Sequence, residues 1–191
     1  IGVGLLVAAF FALTSVFGFG LGFAVLAMVA AWGLSEIFSR RMRLALPSIA
    51  LALMFVGGAA FLGAVLSDLT WPKLSVVPAA LGAALAAIEH ERRFRVPVDW
   101  AIAAFSLVYA VVGLVSVAAP AWSDLVRPVL FATLGLGIFL LALRVDASDV
   151  RRETRRSDIA FWLHLVASPM IVHGAVPLVV GIVTINFILI R

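Results

Sequence analysis

The chain has 191 residues, 64% of them hydrophobic and 13% charged, with a mean hydropathy of +1.20. A water-soluble fold of this length has too little interior to bury so much apolar surface, which excludes a soluble globular protein. The net charge of +4 and the pI near 11.0 arise from short basic clusters between long apolar runs, the placement that membrane orientation imposes, so nucleic acid is not the partner they imply. No cysteine is present, which excludes disulfides, thiolate metal sites and cysteine nucleophiles.

The chain opens at Ile1 inside one apolar run and closes at Arg191 just after another, so both ends read as cuts in a longer protein. No basic stretch precedes the first run, which argues against a cleavable signal peptide. Crossing a bilayer takes roughly 20 helical residues. The run from Ile1 to Phe38 would be roughly 57 Å long as one helix, too long for a single crossing. It contains Gly18, Gly20 and Gly22, where a turn is easiest. This divides it into spans Ile1–Phe17 and Phe19–Phe38. The next are Leu44–Leu66, with Pro47 tolerated in its first turn, then Leu74–Glu89 and Val98–Ala118. Val126–Leu143, Ser157–Val172 and Val176–Ile190 complete an all-α polytopic bundle of about eight helices, seven at the fewest. No soluble domain is expected.

Twelve of the 14 basic residues fall in alternate loops or at Arg191, leaving only Lys73 and Arg127 opposite. That asymmetry predicts cytoplasmic basic loops and chain ends, with Trp71 and Trp122 in the outer aromatic belt. Two basic loops share a pattern, Arg40-Arg41-Met42-Arg43 and Arg92-Arg93-Phe94-Arg95, each followed by a proline. Duplicated helical hairpins would explain this, and so would a rule that makes every second loop basic.

Ionisable groups at membrane depth are functional candidates by default. The run Arg155–His173 is the richest: Ser157 as N-cap, Asp158 in the first turn, Trp162, mid-membrane His164, Pro169 as a kink, and His173. His164 suits a proton relay or ligand contact, and equally a neutral histidine hydrogen-bonded to a neighbouring helix. His164 and His173 are nine residues apart, so a straight helix turns them to opposite faces at different depths. With His90 elsewhere, no shared metal ion or haem is expected, and no other cofactor. Asn186 and Tyr109 are hydrogen-bonding candidates inside the bundle. Glu36, Glu89, His90 and Glu91 read as interfacial ion pairs with nearby arginines, and the alanine-rich run Ala79–Ala87 as a central helix.

The run Arg155–His173, with the preceding Arg144–Asp149, resembles segments of bacterial multipass inner-membrane proteins to which no activity is assigned. The resemblance implies a bacterial inner membrane and no particular chemistry. The expected function is transport of a small molecule or ion, with a structural or assembly subunit as the alternative and a membrane-embedded enzyme third. The expected partners are the lipid bilayer and further copies or subunits of a membrane complex.

Overall fold

The computed structural model describes the backbone of residues 20–68 and 74–189, and the side chains of all of these but 122, 123, 125 and 182–189. The span expected over 1–17, together with Trp71, Lys73 and the side chains of Trp122 and Asn186, lies outside the described residues. Among the described residues there are six α-helices and no strand. They are α1 (Gly20–Ser35), continued by a π-helical turn (Glu36–Arg41), α2 (Ala45–Asp68), α3 (Val76–Phe94), α4 (Val98–Ala118), α5 (Ser123–Ala147) and α6 (Arg156–Leu189). Five are long and apolar enough to cross a membrane, so the chain is a multi-pass membrane protein. The exception is α3, whose last turns carry Glu89, His90, Glu91, Arg92 and Arg93.

The largest differences from the expected spans are at the fourth and at the last two. The fourth predicted span ended at Glu89, whereas α3 continues to Phe94 and closes on Arg95 in the left-handed region. The last two predicted spans are one helix, α6, which runs 34 residues through Pro169 and Pro177 without a turn at Gly174–Ala175. Each proline removes one backbone hydrogen bond, and a neighbouring helix can hold such a helix together. Gly174 permits close approach of α6 to α5. A Cβ there would lie 2.5 Å from the Pro128 carbonyl oxygen and 2.8 Å from Ala132 Cβ.

The described residues form two compact units whose boundary falls inside α4, after Ala110. In the first, α1 buries Ala24, Ala27, Ala31 and Ser35, all small and at helical spacing. α3 buries Ala80, Ala83, Ala84, Ala86 and Ala87, so the alanine-rich run does pack inside. Large apolar side chains point outward instead, with Leu26 at 68% and Leu85 at 69% exposure. This inverted pattern is that of helices solvated by lipid, where small residues admit close backbones. In the second unit, α6 buries Ala160, Leu163, Ala167, Met170 and Gly174, alternating steps of three and four, against α5.

Among the described residues, three arginines occupy left-handed backbone positions: Arg43 (φ 52°), Arg95 (φ 57°) and Arg152 (φ 53°). Glycine is the ordinary occupant after a helix, because a Cβ is strained there. Arg43 and Arg95 are matching positions of the two similar basic loops, so the likeness extends to backbone conformation.

Candidate functional site

The sequence-predicted candidates are not gathered into one site. Asp158 is exposed in the first turn of α6. Thr154, rather than Ser157, supplies the cap, its hydroxyl accepting from the Arg156 backbone N–H at 3.2 Å. The reason is one step upstream. Asp149 folds the loop by accepting from the backbone N–H groups of Glu153 and Thr154 and from the Thr154 hydroxyl at 2.7 Å. The Thr154 hydroxyl, followed by the backbone donors, holds Asp149 below the usual carboxylate range. Trp162 is half-buried with its ring edge-on to Phe161.

His164 is half-buried, its ring 4.9 Å from Phe139, and its Nδ1 is buried with no hydrogen-bond partner among the described residues. His173 is exposed, with its ring 5.3 Å from Phe131. Both rings therefore touch α5. They lie on opposite flanks of one buried stripe, next to Leu163 and Gly174, and a stripe this broad lets both flanks touch the same partner helix. Tyr109 sits on an exposed part of α4 against Phe105. Glu36 does form the expected ion pairs, with Arg40 at 3.1 Å and Arg93 at 2.6 Å.

His90 does not pair with an arginine. It stands at the centre of a hydrogen-bonded chain that the sequence reading missed. Its Nδ1 lies 2.7 Å from Asp99 Oδ2, and its Nε2 lies 3.2 Å from Ser35 Oγ. All three residues have no exposed surface. Each stands at a helix end: Ser35 closes the regular part of α1, His90 lies in the last turns of α3, and Asp99 is second in α4. The tight connection Arg95–Pro97 folds α4 back beside α3, which brings residues nine apart in sequence together. Asp99 also suits the positive end of the α4 dipole.

The surroundings are apolar and aromatic. Phe94, Phe55 and Trp32 place ring centroids 4.7, 5.8 and 6.4 Å from that of His90. Among the described residues, two polar atoms here are enclosed without a partner, Asp99 Oδ1 and Ser39 Oγ. Ser39 is one turn beyond Ser35 in the π-helical segment, and such segments are frequent at functional sites.

The chain accommodates two proton arrangements. With a neutral ring and an ionised carboxylate, Nδ1–H donates to Asp99 and Nε2 accepts from the Ser35 hydroxyl. With a protonated ring, both nitrogens donate and the hydroxyl hydrogen turns elsewhere. A proton can thus be held or passed along one line without any helix moving. The same three residue types form the hydrolase triad. Here Ser35 is fully enclosed and its backbone N–H belongs to a helix, which leaves no room for an electrophile at its Oγ. Among the described residues, no group of three or more histidines, cysteines or carboxylates could hold a metal ion. No family model, curated protein or solved structure matches the chain.

Proposed function

We propose that this chain is the membrane core of a transporter for a small solute or ion, and that its proton-handling site is Ser35–His90–Asp99 rather than His164. One observation carries the reading: an ionisable pair with no exposed surface, hydrogen-bonded into a chain across three helices of an apolar bundle. Burying such a pair costs several kcal/mol, so its presence inside a membrane bundle points to use in a proton or substrate pathway. The unpartnered oxygens of Asp99 and Ser39 add acceptors that a passing proton or solute can occupy. In this reading the basic loops face the cytoplasm, which the arginine asymmetry supports. The bacterial inner membrane follows from the resemblance of the α6 segment and the loop before it. Partners are the bilayer and further copies or subunits.

A second reading rests on the complete enclosure of the three residues: they lock α1, α3 and α4 together in a structural or assembly subunit. Proton flux separates the two. In vesicles holding the purified protein and a trapped pH-sensitive dye, an imposed proton gradient should dissipate faster than in protein-free vesicles. Asp99→Asn keeps the side-chain volume without the charge, and should return the rate to the protein-free level while the fold persists. Equal rates for the wild type and the Asn variant would overturn the relay and leave the latch.

A further inference from the structure

We propose that the basic end of the first unit binds an anionic glycerophospholipid, its phosphate between Arg41 and Arg43 and one acyl chain in a groove between α1 and α2. The proposal is independent of the transport reading. The groove encloses about 430 Å³ and is lined by Val25, Met28, Val29 and Trp32 of α1 and Phe55 and Leu62 of α2. Its lining is almost wholly apolar, so only hydrocarbon is at home there. Trp32 and Val25 precede Arg40 by 8 and 15 residues, or roughly 12 and 22 Å along the helix. The groove therefore runs along the helices, with its nearer end roughly 12 Å along the helix from Arg40.

The charges above it are not balanced by protein. Glu36 holds Arg40 and Arg93, whereas Arg41 and Arg43 are exposed and have no carboxylate partner among the described residues. The first turn of α2, directly after Arg43, contains no acid, so its free N–H groups add to the positive potential. Interleaved with the arginines are Met42, Leu44 and Leu46, with 54%, 39% and 80% exposure, as suits a loop lying at the boundary of headgroups and acyl chains. Arg43 also keeps a left-handed backbone that glycine would adopt without strain. Strain at a charged residue points to use of its side chain. Two walls of the groove, Trp32 and Phe55, are the rings packed on His90, so the bound chain would press on the far side of the rings that shield it.

The test reads tryptophan quenching by phosphatidylglycerol or phosphatidylcholine with brominated acyl chains, each at low mole fraction in unbrominated phosphatidylcholine vesicles. The Trp32 contribution is the difference between the wild type and Trp32→Phe. Brominated phosphatidylglycerol should quench Trp32 at lower mole fraction, with each arginine contributing roughly fivefold. Arg43→Gly relieves the backbone strain and so keeps the fold, yet should lower the preference by roughly fivefold. Arg41→Gln with Arg43→Gln should abolish it. Equal quenching of Trp32 by the two lipids, or a preference that survives the double substitution, would overturn the site. Should Trp32→Phe not fold, thermal unfolding of the wild-type protein in detergent decides: phosphatidylglycerol should raise the midpoint more than phosphatidylcholine, and equal shifts would overturn the proposal.

Discussion

His90→Ala should destabilise the protein by roughly 3–5 kcal/mol, the cost of removing one partner from a buried charged pair. Asp99 would then keep a carboxylate with no exposed surface and neither oxygen paired, because Oδ1 already lacks a partner. Ser35 would lose its hydrogen bond to the imidazole, a smaller loss of about 0.5–1.5 kcal/mol. Rings from Trp32, Phe55 and Phe94 would line the cavity left by the imidazole, and none of them carries a compensating positive charge. The double variant His90→Leu with Asp99→Leu removes charge and partner together, and should recover most of the loss. Equilibrium unfolding in mixed micelles would measure all three proteins. A His90→Ala change within about 0.5 kcal/mol of the wild type would mean that the site is hydrated and the pair not truly enclosed.

Gly63→Val should be nearly as damaging, for a reason of shape alone. A Cβ at Gly63 would lie 2.7 Å from the Pro78 carbonyl carbon and 3.0 Å from the Cα of Ala79, and it would meet the Pro78 oxygen closer still. These are backbone atoms, so no rotamer change relieves the contact and α2 must move off α3. Overpacking of this kind costs about 1–3 kcal/mol, and a valine brings two further methyl groups. The displaced interface includes Val56, Ala83, Ala86 and Ala87, which are buried in one cluster with Ala103 of α4. Gly22 and Gly33 make the controls, since a Cβ at either meets no described residue within 4 Å. Valine at those two positions should change unfolding by no more than about 0.5 kcal/mol. Comparable losses at Gly63 and Gly33 would show that helix propensity, not the α2–α3 contact, sets the cost.

The membrane class and most helix positions were legible because both follow from composition and length. Val98–Ala118 was placed to the residue, since a charged loop and a proline bound it on one side and Pro120 on the other. Ala79–Ala87 was recognised as interior because small residues are what a lipid-solvated bundle buries. The joined helix α6 was missed because Gly174 serves equally in a turn or at a helix crossing, and only the neighbouring Pro128 and Ala132 decide which.

The site was hidden for a different reason. Ser35 and His90 are 55 residues apart, and nothing in a sequence links positions that far apart on different helices. Asp99 is an acid in a helix first turn, which the dipole alone suffices to explain, and His90 sits among charged neighbours that suit an interfacial pair. The available signal was a histidine and an aspartate placed either side of the short turn that ends in Pro97, where a hairpin must bring them close. His164 attracted attention through its depth, yet its ring packs on Phe139 and it meets no titratable group in the hydrogen bonds described.

The central claim is that Ser35–His90–Asp99 is a working proton site and not a fixed latch. Infrared difference spectra of the protein in supported bilayers, taken as the buffer is stepped through about pH 5 to 8, test it directly. The Asp99 band is identified by its loss in Asp99→Asn. The predicted result is a reversible change in that band, altered in His90→Gln because the proton is shared along the chain. An Asp99 band that stays fixed across the range in a folded protein would contradict the claim and make the three residues a structural clamp.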